Sequence, residues 1–531
     1  MALEHRRVFV VGFLAFVVAS FALVPFLGRN FFPSVDAGQI LMHVRAPIGT
    51  RVEESATIFA NVQAAIRRIV PPEELGTVVD NIGQPISGIN TAYNNTGTIG
   101  SWDGDIQIAL NEGHRPTADY VRRMREELPR QFPGVTFSFP PADIISQILN
   151  FGSPAPIDLQ VRGNNLPQNF VYANKLLREI RRVPGVADAR IQQSQANPTF
   201  AVDVDRTRAQ LLGVTERDVT NSLVVNLAGS SQVAPTFWLN PQNQISYPIV
   251  MQTPQYKLDS LSALENIPVT SSGGGSSQLL GGLATIRRGA SSAVVSQYNI
   301  QPMVEIFATT QGRDLGAVAA DIQNIVAAHA KELPKGSSTA LLGLVQTMNN
   351  AFSGLIFGLL GAIVLIYLLI VVNFQSWSDP FVIVTALPAA IAGIIWMLFG
   401  THTTLSVPAL TGAIMCMGVA TANSILVVSF CRERLTELGD AHAAALEGGF
   451  VRFRPVLMTA LAMIIGMAPM ALGMGEGGEQ NAPLGRAVIG GLIFATTATL
   501  FFVPVVFSMI HARRGHPSPT PVNSGEPIHV A

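Results

Sequence analysis

The feature that most constrains this chain is the placement of its apolar runs. Val8 to Gly28 reads VFVVGFLAFVVASFALVPFLG, 21 residues without a charge. At a rise of about 1.5 Å per residue, such a helix crosses about 30 Å of hydrocarbon. The next apolar runs come only after residue 350 and then crowd together, at 352–372, 381–399, 407–430, 455–474 and 487–510. The run at 407–430 is the weakest, because it carries Thr411, Thr421, Asn423 and Ser424. Pro388, Pro469 and Pro504 fall inside runs, which a packed membrane bundle accommodates. A cleaved secretory signal competes for the first run, since His5-Arg6-Arg7 resembles a basic start. Against it, the run is too long, and Arg29-Asn30-Phe31-Phe32-Pro33 is no small-residue cleavage site.

Composition agrees with a membrane protein. Charged residues make up 13% of the 531, about half the roughly 25% of a soluble domain. Hydrophobic residues make up 48% and the mean hydropathy is +0.35. A net charge of −1 gives no bulk attraction to nucleic acid. Cys416 and Cys431 are too few for a disulfide framework or a cysteine-based zinc site.

Charge placement orients six spans. Arg6/Arg7, Arg432/Arg434, Arg452/Arg454 and Arg513/Arg514 all fall on one side, which the positive-inside rule makes cytoplasmic. Both termini are then cytoplasmic, with the loops 401–406 and 475–485 and the long insertion outside. Within the insertion, strand-like 39–46, helical 52–70, strand-like 77–81 and 105–110, helical 116–128 and strand-like 135–139 follow one another. That order, β-α-β-β-α-β, is the split βαβ pattern of a ferredoxin-like unit. A second set begins with a strand at 157–162, a helix at 170–182 and a strand at 187–191. It resumes with a strand at 303–308, a helix at 315–331 and a strand near 339–342. Between its halves lies a piece at about 199–297, containing the Gly/Ser-rich turn 271–277.

Five local motifs occur along this frame: Phe31-Phe32-Pro33-Ser34-Val35-Asp36-Ala37-Gly38-Gln39, Ala209-Gln210-Leu211-Leu212-Gly213-Val214, Asn373-Phe374-Gln375-Ser376-Trp377, residues 418–428 (GVATANSILVV), and Arg452-Phe453-Arg454-Pro455-Val456-Leu457-Met458-Thr459. With the order of one span, a large split-βαβ region and five spans, they resemble the C-terminal half of a resistance-nodulation-division (RND) efflux permease of the hydrophobe/amphiphile exporter branch. The resemblance implies a six-span α-helical bundle with a periplasmic α+β region of ferredoxin-like subdomains. It divides the chain into a cytoplasmic N-terminus (1–7), a first span (8–28), a porter subdomain (29–155), a discontinuous second porter subdomain (156–198 and 298–348), a docking insertion (199–297), a five-span bundle (352–510) and a cytoplasmic tail (511–531).

It also implies proton-driven export of hydrophobic or amphiphilic toxic compounds from the inner membrane and periplasm, in a trimer with a periplasmic adaptor and an outer-membrane channel. The acids of the family's proton relay lie in the N-terminal half, so a partner half is expected to supply them, in the same or a separate chain. The lysine usual before the asparagine of the fourth-span motif is Ala422 here. Asn423, Arg452 and Thr459 match the remaining relay positions. For each a plain structural role competes: a helix–helix hydrogen bond for Asn423, an interfacial anchor for Arg452 and a bond to its own helix for Thr459.

Substrate contacts are expected from the loop containing Gln84, Pro85 and Ile86, and from Phe137 and Phe139, which alternate on a strand and so share a face. Ordinary sheet core competes for the two phenylalanines. The loop Gln84–Gly88 lacks the phenylalanines of drug exporters, which casts doubt on an aromatic multidrug pocket. A metal exporter is a second alternative, although Met42, Met124, Met251, Met303 and Met348 would have to converge to form a soft-metal relay. The other alternative is a non-transporting half-permease that serves as an assembly partner or sensor; a protein-export accessory shares the six-span layout but not the motifs. The nine histidines form no HExxH or i,i+4 pair, and His402 and His511 read as interfacial. No phosphate-binding loop is present. The chain is therefore expected to be neither an enzyme nor dependent on a cofactor.

Overall fold

The computed structural model describes residues 5–84, 97–150, 153–271, 274, 277–475 and 477–512. Among the described residues, six helices are long and apolar enough to cross a membrane: Arg6–Phe26, Leu344–Phe374, Ser378–Gly400, Val407–Leu438, Ala441–Ala471 and Ala482–His511. We number them spans one to six. Several run past the apolar lengths, because hydropathy sees the lipid-crossing stretch while backbone bonding continues into polar sequence. Span four ends at Gly439, whose left-handed conformation stops the helix. Span five then starts 14 residues before its apolar run: the Asp440 carboxylate caps it by accepting from the His442 N–H, and Pro455 lies inside the helix.

Spans three, four and six are buried against one another, whereas one, two and five leave most of their apolar surface outward. Spans three and six meet through glycines. A Cβ on Gly393 would lie 2.4 Å from the Gly490 carbonyl oxygen, and one on Gly490 would lie 2.2 Å from Met397 Cβ. Only small residues let two backbones approach this closely.

The long insertion forms two sheets of the same design. In the first, β1 (Gln39–Arg45), β2 (Leu75–Ile82), β3 (Asp103–Leu110) and β4 (Thr136–Ser138) pair antiparallel in the order β2-β3-β1-β4. Helices Val52–Ile69 and Thr117–Gln131 cover one face, burying Phe59, Ile66, Tyr120, Met124 and Leu128 against Ile40, Met42, Val44, Ile106 and Ile108. In the second sheet, β5 (Ile157–Arg162) lies between the strands Gln301–Thr310 and Ser338–Gly343, and β6 (Val186–Ile191) pairs with Gln301–Thr310. Its helices, Leu166–Ile180 and Leu315–Ala328, pack on Leu159, Val161, Val304 and Ile306. Both sheets therefore realise the split βαβ pattern, the second with its chain interrupted.

The second sheet is tied to the bundle. Asn30 N–H donates to the Leu405 carbonyl, Val407 N–H to that of Phe31, and Arg29 N–H to the Asp314 carboxylate. Asp314 also caps the helix Leu315–Ala328 by accepting from the Ala317 N–H. Residues 193–294 form a separate compact unit. In it Asn197–Val204 pairs with Ala284–Ser291, Thr236–Leu239 pairs with Ser246–Ile249, and Val219, Ile267, Val269, Leu280 and Leu283 form the core.

Candidate functional site

Two polar constellations stand out, one in the membrane bundle and one between the sheets. In the bundle, span four carries Asn423, buried, and Ala422, exposed. The Thr459 hydroxyl on span five is shared between Asn423 Oδ1 at 3.1 Å and the Val456 carbonyl at 2.9 Å. Ser424 and Thr499 join their hydroxyls at 2.9 Å and tie span four to span six. Arg452 lies with its guanidinium 4.9 Å from the Phe430 ring centroid, and among the described residues its buried Nε has no hydrogen-bond partner.

Asn423 and Phe430 are seven residues apart, as are Thr459 and Arg452. Two turns of an antiparallel helix pair therefore set both contacts on one seam. The structure thus joins Asn423 to Thr459 and places Arg452 two turns toward the termini. Asn423 and Thr459 are neutral, so they can orient a neighbour but cannot carry a proton by themselves. Thr459 and Ala422 are both exposed, so this polar seam opens outward from the bundle.

Between the sheets, strand alternation puts His43 and Arg45 of β1, and Asp103 and Asp105 of β3, on the face away from the helices. His43, Asp103 and Asp105 are nearly inaccessible. His43 Nδ1 lies 2.8 Å from Asp105 Oδ1, and its Nε2 lies 3.5 Å from Asp103 Oδ1. Arg45 makes a bidentate pair with Asp103 at 2.7 and 3.0 Å and donates to the Gln192 carbonyl at 3.2 Å, just past β6. Burial alone would push the Asp103 carboxyl up, but the bond from His43 and the charges of His43 and Arg45 hold it down at about 2. Close by, Arg190 of β6 is 5% exposed, and among the described residues its Nε and Nη2 have no hydrogen-bond partner. Burial and the neighbouring Arg45 lower it to about 10, against the pull of Asp188, Asp103 and Asp105.

A second clasp joins the sheets at Asp188, which accepts from Arg125 Nε and from the Phe139 N–H, each at 2.9 Å. On the second sheet, buried Asp158 accepts from Gln160 Nε2 at 2.6 Å, and its Oδ1 has no partner among the described residues. Burial and the Glu305 carboxylate push it up to about 7, against Gln160 and Arg162.

The residues expected to touch substrate fare differently. Phe137 and Phe139 do share a face, but it is the covered one: they are 7% and 6% exposed within the core of the first sheet. Of the two readings of these rings, sheet core is the one that fits, and they are not presented to a cleft. Gln84 is exposed, while Pro85 and Ile86 lie outside the described residues. Nor do the methionines converge. Met42 and Met124 belong to the first core, Met348 to the second, and Met251 is exposed in the separate unit. Among the described residues, no three His, Cys, Asp or Glu side chains are placed to hold a metal ion. Sequence reading missed the cluster around His43, although the alternations His43-Val44-Arg45 and Asp103-Gly104-Asp105 were its signal. It also missed Asp379, which precedes the apolar run of span three, and Arg486. The Arg486 guanidinium donates to the Ala471 carbonyl at 2.9 Å and to Thr403 at 2.6 Å.

Comparison with known proteins follows the same outline. The sequence profile described as the AcrB/AcrD/AcrF family matches residues 1–511. The nickel-cobalt-cadmium resistance protein NccA of Alcaligenes xylosoxydans xylosoxydans is 29% identical over 508 residues, covering 92% of this chain and 45% of that protein. The cobalt-zinc-cadmium resistance protein CzcA of Cupriavidus metallidurans is 24% identical, with coverages of 94% and 46%. The cation efflux system protein CusA of Escherichia coli is 26% identical, with coverages of 92% and 46%. A crystal structure of a heavy metal efflux pump superposes with a TM-score of 0.80 at 25% identity, over 96% of this chain and 50% of that one. The chain spans about half the length of the curated relatives it matches.

Proposed function

This chain belongs to the AcrB/AcrD/AcrF family, and from that premise we propose that it supplies one half of an RND efflux transporter in the inner membrane, driven by protons and exporting a divalent metal cation. A second half, in the same or a separate chain, brings the acids that take up protons. It docks on the outward seam of Ala422, Asn423 and Thr459, where Asn423 and Arg452 respond to the charge of those acids. The complete transporter works as a trimer with a periplasmic adaptor and an outer-membrane channel.

The observation that carries the substrate reading is the polarity of the space between the sheets. It presents imidazole and carboxylate from His43, Asp103 and Asp105, while Phe137 and Phe139 are withdrawn into the core. Imidazole and oxygen donors suit borderline divalent ions, whereas a soft monovalent ion needs clustered thioethers. Three relatives named above carry cation names, which supports the same class. In the state described, His43 Nδ1 is engaged by Asp105 and Asp103 by Arg45, while His43 Nε2 has no hydrogen-bond partner among the described residues, so loading a cation requires Asp103 and Asp105 to exchange these partners within the first sheet.

One observation favours the amphiphile reading. An open cavity of about 310 Å³ lies on the first sheet, lined by Gln39, Leu41, Val79, Gln107, Ala109 and Gln147. Tolerance of the host with and without this chain separates the two. Loss of tolerance to nickel, cobalt, zinc or cadmium, reproduced by Asp105→Asn, is the result expected. Unchanged metal tolerance with lost tolerance to bile salts or cationic dyes would overturn the cation reading in favour of the amphiphile.

A further inference from the structure

The space between the two sheets holds the carboxylates of Asp103, Asp105 and Asp188 and the guanidiniums of Arg45, Arg125 and Arg190, and they do not pair off. Asp103 takes Arg45 in a bidentate pair and also accepts from the Ile99 N–H. Asp188 takes Arg125 and accepts from the Phe139 N–H and the Thr309 hydroxyl. Asp105 is taken by the His43 ring, 2.8 Å away. Each of these acids is engaged, and Arg190 is left over.

Arg190 enters from β6, opposite Phe307 on the strand Gln301–Thr310, and its guanidinium lies 5.6 Å from that ring's centroid. It is 5% exposed, and among the described residues Nε and Nη2 have no hydrogen-bond partner. Those two nitrogens form one edge of the guanidinium, an edge that grips a carboxylate through two parallel bonds. Burying such donors unmade costs stability that an apolar side chain of similar volume does not lose. Packing on Phe307 needs a stem and not a charge. The charge therefore serves something other than the fold.

Resting on the cation reading above, we propose that Arg190 is the residue that makes the first sheet release its cation: a fixed positive charge, carried by the second sheet, beside the acids that ligate the cargo. Asp103 and Asp105 each favour the Arg190 charge. The same proximity sets Arg190 against any cation placed on those acids, and a divalent ion feels that repulsion twice over. The groups are buried, so salt screens them little. Loading turns Asp103 from Arg45 to the cation, which leaves Arg45 and Arg190 both uncompensated beside it. As the cation leaves, Arg45 recovers Asp103, and the free edge of Arg190 stands ready for a carboxylate that the cation gives up. A transport site has to empty as well as fill. Imidazole and carboxylates with no opposing charge hold a borderline divalent ion firmly. Arg190 is not a ligand; it acts through space on the affinity.

The test is equilibrium binding of zinc to the full chain in phosphatidylcholine nanodiscs, with empty nanodiscs subtracted. Arg190→Met should bind zinc about tenfold more tightly than the parent and surrender it more slowly to a chelator. Arg190→Lys restores a charge without the planar fork and should return the affinity toward that of the parent. Asp105→Asn should lose binding. If Arg190→Met does not fold, Arg190→Gln, equally neutral, takes its place. An affinity unchanged or weakened in the neutral variants, with binding still abolished by Asp105→Asn, overturns the role of Arg190 and leaves the cation reading standing, since a merely structural contact gives that result. Failure of every form to bind zinc overturns both.

Discussion

The two sheets of the long insertion have the same strand order and the same antiparallel pairing, yet they treat a buried carboxylate in opposite ways. In the first, Asp103 is met by Arg45, His43 and the Ile99 N–H, and is held at about 2. In the second, Asp158 has the Gln160 amide beside it and Glu305 nearby, and is raised to about 7. Arg162 lies two residues from Gln160 on the same face, but its guanidinium donates to Gln160 Oε1 at 2.7 Å rather than to the acid. Topology puts a carboxylate on the uncovered face of each sheet; which basic group reaches it fixes its charge. The first sheet is thus locked by ion pairs, while the second holds an acid poised to titrate.

The strongest way to break this comparison is Arg45→Ala. It strands Asp103 without its cation and removes the bond to the Gln192 carbonyl. Leaving one partner of a buried pair alone costs about 3–5 kcal/mol. Denaturant unfolding of the detergent-solubilised chain should show a loss of that size at pH 7. A loss below about 1 kcal/mol would mean that the Arg45–Asp103 pair does not lock the first sheet. Because Asp103 is held below its unfolded value, its contribution is present above about pH 4 and is lost as pH falls toward 2. The difference between parent and variant should shrink over that window.

Asp158→Asn tests the other sheet with the opposite sign. Its folded value of about 7 lies above the unfolded one, so the protonated form is favoured on folding. That stability is present at about pH 4 and is lost as pH rises through 7. Asparagine cannot ionise, so the variant should match the parent at pH 4. At pH 8 it should be more stable by up to about 4 kcal/mol, the equivalent of about three pH units. Equal stability at both pH values would show that water already reaches the carboxylate.

The part of this legible in the sequence was the part that depends on near neighbours. Alternation and turn residues act within a few positions, so they predict strands at 157–162 and 187–191, and the observed strands are Ile157–Arg162 and Val186–Ile191. The same alternation put Phe137 and Phe139 on one face but could not say which, since that depends on the helix Thr117–Gln131 lying over them. The union of Asn423 with Thr459 crosses 36 residues and needs the register of two spans. The reach of Arg45 to Gln192 crosses 147 and needs both sheets in place. Asp379 escaped notice because hydropathy marks where lipid begins, not where the helix does.

Asp188→Asn sharpens the comparison at the second clasp. Asp188 adopts a left-handed backbone with φ 56°, which asparagine tolerates, so the substitution removes charge without adding strain. The bonds from Arg125 and the Phe139 N–H weaken from charged to neutral ones, a loss of about 1.5–2 kcal/mol by the same unfolding measurement. A larger loss, close to that of Arg45→Ala, would make Asp188 an equal partner in the lock.

The smallest effect belongs to Arg190, which by residue type looks like the most costly side chain to remove. Its charge lies among Asp188, Asp103 and Asp105, and each of these favours the cation. Burial and Arg45 outweigh them, since the group is lowered to about 10, and among the described residues Nε and Nη2 lack hydrogen-bond partners. The surroundings therefore disfavour this guanidinium on balance, and what keeps it favourable to pack is its stem and its stacking at 5.6 Å over Phe307. Methionine keeps most of that apolar contact and discards the unpaired donors, and replacing buried charge by well-packed apolar volume is often neutral or stabilising. Arg190→Met should leave unfolding stability within about 1 kcal/mol of the parent, on the stabilising side, while Arg45→Ala in the same background keeps its full penalty. A loss of several kcal/mol on Arg190→Met would show instead that Asp103 and Asp105 need both arginines, and that the lock of the first sheet extends across to β6.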